Sequence, residues 1–187
     1  MLKTQVIAIS GASGCGKTSL IKAISDKLNC PYLLFDEYTN AHTYPKDMKM
    51  WLESGVDLNE IKTPAFIRAL EELTLSCGAP YIFIEEPFGR CRAQISKYID
   101  YVVLLDLPLE VCLSRVITRN INTPHVDSRN AISKYLHVYD DYLSAIYANV
   151  VEQVRHTCDL TVTEVLSLSK TVVLVERWLA RQRISQS

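Results

Sequence analysis

A chain of 187 residues, 48% apolar and 22% charged, can bury one substantial core and is short for two domains. Its net charge of −1, with no basic stripe, argues against nucleic acid as a partner. No apolar run approaches the ~20 residues of a membrane span. The six cysteines stand singly without a C-x-x-C pair, and the first residues lead straight into an apolar segment with no room for a signal peptide. The expectation is a cytoplasmic protein with no membrane partner, no zinc site and no disulfide framework.

The first element, Gln5–Ser10, is a short apolar run that reads as a buried strand. It is followed by Gly11-Ala12-Ser13-Gly14-Cys15-Gly16-Lys17-Thr18, which fits the Walker A pattern G-x-x-x-x-G-K-S/T. Leu20, Ile21, Ile24 and Leu28 then recur at the spacing of an amphipathic helix. Strand, glycine loop and helix form a concavity of backbone N–H groups opening on a helix N-terminus, a site for phosphate. Residues 11–19, ending at Ser19, are therefore expected to bind a nucleotide, with Lys17 on the β- and γ-phosphates and the Thr18 hydroxyl on Mg²⁺. Cys15, inside the loop, reads as a small filler.

A second strand is expected over 31–35, with Asp36, Glu37 and Tyr38 at its C-terminal end. Residues 39–64 turn polar and are punctuated by Pro45, Gly55 and Pro64, which suggests a substrate-facing insertion with a short helix over 46–53. A helix from Pro64 to about Gly78 leads to a third strand over 81–84, closed by Glu85, Glu86 and Pro87. A fourth strand covers 101–105 and a helix 110–119. Ile132, Leu136, Tyr139, Leu143, Ile146, Val150 and Val154 follow a near-heptad stripe, predicting one long helix over 129–155 that packs on the core. A fifth strand at 160–163 and a closing helix over 168–181 complete the chain. Continuous apolar strands alternating with helices predict an α/β fold: a doubly wound, mostly parallel five-stranded sheet with helices on both faces, in one domain spanning 1–187.

Ligands of such sheets bind beyond the C-terminal strand ends, and the candidate residues gather there. Asp36 is placed to take the proton of a substrate hydroxyl, with Tyr38 beside it as a substrate contact. Glu85 and Glu86 occupy the Walker B position with Glu in place of Asp. Adjacent strand residues point to opposite faces, so only one is expected to serve the site. Glu85 is assigned to the metal and Glu86 to the substrate, and the two choices are nearly balanced. Arg115 and Arg119 share a helix face, suited to charge on a transferring phosphoryl group, and begin a lid region over 115–130. Arg90 is a weaker substrate candidate, with Arg92 and Arg129 beside it in rank; the four histidines lack ligand spacing.

The phosphate loop, the Asp36–Tyr38 strand end, the Glu85/Glu86 strand end and the Arg115…Arg119 pair resemble the P-loop kinases of nucleosides and nucleotides, closest to the uridine kinase/phosphoribulokinase-like group. That resemblance implies Asp36 as catalytic base, ATP and Mg²⁺ at Lys17 and Thr18, Arg115 and Arg119 as lid residues, and the segment after Asp159 near the adenine. The chain departs from the pattern at Val116 and Asn120 in the lid, at Glu86 or Pro87 where Gly is usual, and at Glu37 between Asp36 and its aromatic. Deoxynucleoside kinases, with a Tyr-rich helix after the lid, are close competitors.

The expected function is transfer of the γ-phosphoryl group of ATP to a hydroxyl of a small, nucleoside-like acceptor; the alternative is an ATP-binding switch or accessory ATPase without such an acceptor. A GTPase is disfavoured because N-K-x-D and D-x-x-G motifs are missing. A homo-oligomer is compatible with the sequence.

Overall fold

The computed structural model describes residues 4–122 and 128–184. Five parallel strands form one sheet: β1 (Gln5–Ser10), β2 (Tyr32–Leu33), β3 (Tyr81–Glu85), β4 (Tyr101–Leu105) and β5 (Leu160–Val162). Their order is β2-β3-β1-β4-β5, so the chain steps outward to β2, returns through β3, and crosses over β1 to β4. β1 is central and buried at every position, pairing Gln5 with Tyr81 and Ile9 with Glu85 on one side, and Ile7 with Tyr101 on the other.

The period of two divides the strand side chains between two cores. Ile7, Ile9, Phe83, Val103 and Leu105 face helices α1 (Lys17–Leu28) and, near the C-terminus, Leu168–Ile184. Val6, Ala8, Ile82, Ile84, Val102 and Leu104 face the opposite core, with Phe66 and Leu70 from the helix Pro64–Ser76. Helices on both faces explain why these strands read as unbroken apolar runs rather than alternating ones.

The segment 39–64 is more built than its polar sequence suggests. Helix α2 (Met48–Glu53) is capped by Asp47, whose side chain accepts from Lys49 N and Met50 N. Trp51, Val56, Leu58 and Ile61 are buried in the core, and Trp51 Nε1 donates to Asp57 O at 3.1 Å. The α3 helix (Pro64–Ser76) starts with Pro at its first turn, where a missing N–H costs nothing. After β3 a short α4 (Ala93–Ser96) leads to β4, and α5 (Leu109–Asn122) follows.

The helix expected over 129–155 is not continuous. It consists of α6 (Ser128–Val138), a π-helical turn (Tyr139–Leu143) and α7 (Ser144–Arg155), with Ser144 N–H bonded to Tyr139 O five residues back. The apolar stripe accordingly splits: Ile146, Val150 and Val154 are buried, whereas Leu136 is exposed. The closing α8 (Leu168–Ile184) packs against α1. Residues 123–127 of the expected lid lie outside the described residues. No helix among the described residues is long and apolar enough to cross a membrane.

Candidate active site

The loop after β1 threads between two backbones. A Cβ at Gly11 would stand 2.6 Å from Leu105 O, and one at Gly14 would stand 2.2 Å from Cys112 O. Gly14 also has φ +86°, so both space and backbone conformation demand glycine there. α1 then begins at Lys17 with no side-chain cap from Gly16, leaving its first N–H groups to face the loop's concavity. Lys17 is buried and folds over that concavity, donating to Gly11 O at 3.0 Å and Ala12 O at 3.1 Å.

The pleat of β3 separates the two glutamates. Glu85 lies under the loop: Thr18 Oγ1 donates to its Oε2 at 3.1 Å, and Lys17 Nζ stands 3.9 Å from its Oε1. Burial raises the Glu85 pKa, Lys17 opposes the shift, and the Asp36 carboxylate adds to it. Asp36 therefore faces the same space as Glu85, from a 3₁₀ turn (Phe35–Tyr38) rather than from a strand. The second strand itself is only Tyr32–Leu33, shorter than expected.

Glu86 is a correction. It is fully buried on the other face, where Arg92 Nε and Nη2 donate to its two oxygens at 3.0 and 2.5 Å. Arg92 also donates to Thr63 Oγ1 at 2.8 Å and lies over the rings of Phe35 and Phe88. With its carboxylate fully engaged by Arg92, Glu86 does not reach the cavity as a substrate contact. Arg90 is corrected too. It donates to Asp100 O and Thr157 O and pairs with Asp159 at 2.8 Å, at the N-terminal edge of β4, a strand length of roughly 16 Å from the site. Tyr38 packs its ring edge-on against Phe66, 5.4 Å between centroids, and is not part of the cavity wall.

Gly11, Ala12, Ser13, Gly14, Gly16, Lys17, Thr18, Ser19, Asp36, Glu85, Arg115 and Arg119 all line one cavity of about 700 Å³. Arg115 Nη1 donates to Cys15 O at 3.1 Å, reaching over the loop from α5, and the positive charge of Arg119 is close enough to lower the Glu85 pKa. Cys15 is buried, and desolvation raises its thiol pKa despite Lys17 nearby, which suits a packing role. Away from the loop the wall becomes aromatic and apolar: Tyr44, Met48 and Trp51 from the 39–64 segment, Phe88 after β3, and Tyr142, Ile146 and Tyr147 from the π turn and α7. Sequence reasoning missed these residues; the available signal was the cluster of tyrosines on the helical stretch after the lid. The Tyr147 hydroxyl meets Ser13 of the loop, tying α7 to the phosphate end.

A second, smaller cavity of about 240 Å³ flanks the loop on its other side, lined by Gly16, Leu105, Leu107, Arg115, Val162 and Leu166 among others. Arg115 borders both cavities.

Among the described residues no cluster of three or more His, Cys, Asp or Glu could hold a metal ion. The Thr18 hydroxyl and the Glu85 carboxylate, hard oxygens 3.1 Å apart beside a phosphate nest, do fit Mg²⁺, which is bound through few protein oxygens together with substrate phosphates.

No protein-family model matches the chain. The chain is 28% identical to a uridine kinase of Schizosaccharomyces pombe, an alignment that covers 86% of this chain and 40% of the relative, so it corresponds to less than half of that protein. Among solved structures it is similar to the TT1252 protein of Thermus thermophilus, with a TM-score of 0.57, 18% identity and coverage of 95% and 97% of the two chains. It is also similar to deoxyadenosine kinase from M. mycoides, with a TM-score of 0.52, 16% identity and coverage of 95% and 100%. A gluconokinase from Sinorhizobium meliloti 1021 gives a TM-score of 0.51 at 16% identity, covering 100% and 99%. The chain thus has the α/β fold of the P-loop small-molecule kinases and resembles that superfamily in sequence as well as in structure.

Proposed function

We propose that this protein transfers the γ-phosphoryl group of ATP to a hydroxyl of a small, nucleoside-like acceptor. The observation that carries the reading is the shared cavity: the phosphate loop, Asp36 and Glu85 open onto one space that continues into an aromatic-walled end large enough for an acceptor. A switch or accessory ATPase has no use for that end. The relative's name, uridine kinase, and the deoxyadenosine kinase fold support a nucleoside-like acceptor.

In this reading the N–H groups of residues 11–19 and Lys17 hold the β- and γ-phosphates, with Lys17 exchanging its bonds to Gly11 O and Ala12 O for phosphate oxygens. The second cavity receives the nucleoside of ATP, its base lying on apolar Leu107 and Leu166 next to the Arg115 guanidinium. Thr18 and Glu85 hold Mg²⁺, which when bound neutralises charge on the β- and γ-phosphates. Asp36 accepts the proton of the attacking hydroxyl, and Arg115 and Arg119 stabilise negative charge on the phosphoryl group in flight. The 187 residues act as one domain in the cytoplasm, with 39–64 as the acceptor-facing segment and 115–130 as the lid.

The test is Asp36→Asn assayed for phosphorylated product and, separately, for ATP affinity. A fall in kcat of about 10²–10⁴-fold with ATP affinity unchanged is expected for a lost general base. Turnover intact with nucleotide affinity lost would refute the role.

A further inference from the structure

The cavity is electrically lopsided. Its cations are Lys17, Arg115 and Arg119, and all three sit at the phosphate end: Lys17 on the carbonyls of Gly11 and Ala12, Arg115 on that of Cys15, Arg119 beside Glu85. The other end is walled by Tyr44, Met48, Trp51, Tyr142 and Tyr147, and no described residue there brings a positive charge into the cavity. Two cations close to that wall in the chain or in space are engaged elsewhere, and neither they nor Lys46, which follows Pro45, is among the residues lining the cavity. Lys49, next to Met48, pairs with Asp141 of the π turn at 2.7 Å. Arg92 is enclosed with Glu86 beneath Phe35 and Phe88. Among the described residues that line the cavity, the only carboxylates are Asp36 and Glu85.

An acceptor carrying a phosphate or carboxylate at this end would lose hydration without gaining a cation, and would face Asp36 and Glu85 across the cavity. A flat, uncharged body has the reverse balance, since aromatic faces reward its burial. Tyr44 adds a hydrogen-bonding hydroxyl that stays neutral, because burial, with Asp36 and Glu86 nearby, pushes its pKa up to about 12.

We propose that the acceptor is an uncharged alcohol with a flat ring in its body, seated on the Tyr44–Trp51 and Tyr142–Tyr147 walls, and that the site rejects acceptors already bearing a phosphate or carboxylate. This rests on the kinase reading above. It separates nucleosides from nucleotides and from sugar acids such as gluconate.

The experiment supplies Mg²⁺ and ATP with uridine, deoxyadenosine, the 5′-monophosphate of each, or gluconate, and detects phosphorylated acceptor by mass spectrometry. The expected result is product from at least one nucleoside, with kcat/KM at least ~100-fold above that of its monophosphate and of gluconate, a margin of about 2.7 kcal/mol. Tyr142→Arg, which adds a cation to the apolar end, should narrow that ratio at least ~10-fold while leaving ADP affinity unchanged. Turnover of a monophosphate or of gluconate within ~100-fold of the best nucleoside overturns the proposal. ADP release with no phosphorylated acceptor refutes the kinase reading instead. The acceptor class is then read by binding, with ADP saturating, through Trp51 emission in a Trp178→Phe protein. Uridine monophosphate binding as tightly as uridine, or neither binding, overturns the acceptor class too.

Discussion

Replacing Glu86 by Gln tests whether this carboxylate serves the substrate or the fold. Glu86 and Arg92 are both fully buried, and the guanidinium spends two donors on the carboxylate and one on Thr63 Oγ1. Glu86→Gln leaves Arg92 charged in a dry site between Phe35 and Phe88. Removing one partner of a buried pair costs about 3–5 kcal/mol, because the remaining charge is uncompensated. At about 2–4 °C per kcal/mol for a chain of this size, Tm should fall by about 6–20 °C. The double variant Glu86→Gln/Arg92→Met removes the stranded charge, so most of that loss should return. Thermal and urea unfolding of the wild type, both single variants and the double variant give the cycle. If Glu86→Gln unfolds within about 1 kcal/mol of wild type while KM for the acceptor rises, the carboxylate faces substrate and the present placement is wrong.

Glycine positions give a matched contrast. Gly14→Ala places a Cβ against the Cys112 backbone at φ +86° and should cost more than about 3 kcal/mol or abolish nucleotide binding. Gly55→Ala, at φ +93° with open space around it, should cost about 1–2 kcal/mol with ATP affinity intact; denaturation and ATP titration check both. Cys15 and Cys112 have thiol pKa values raised by burial, Cys112 to about 11. A raised thiol pKa keeps the protonated form as pH climbs, so at pH 8 neither should label with iodoacetamide in the native protein within the time that half-buried Cys158 does; rapid modification of Cys15, read by peptide mass, would contradict its role as a filler.

How far the sequence could be read follows from which forces act locally. The phosphate loop, the strand runs and Pro64 at a helix start are encoded by neighbours in the chain, and the five-stranded parallel sheet follows from them. The pleat rule required Glu85 and Glu86 to part, but which one meets Thr18 depends on the register of β3 against β1, set across 76 residues of chain between Ile9 and Glu85. Arg90 read as a substrate candidate, yet the chain is already descending toward the start of β4 there. The aromatic end was illegible for a similar reason. Trp51 and Tyr142 come together only because α2 packs against the π turn, and nothing near either residue announces that contact.

The π turn itself has a consequence for how the long helical stretch is oriented. One extra residue in a turn advances the following residues by about 100° around the axis relative to an uninterrupted α-helix. Without it, the stripe that seats α7 on the sheet through Ile146, Val150 and Val154 would continue straight onto α6. With it, α6 is dialled to a different azimuth, so Tyr135 and Tyr139 stack toward Tyr147 while α7 keeps its grip on the core. The single inserted residue therefore works as a fixed angular offset between a half anchored on the sheet, which also walls the cavity, and a half that rides on α5.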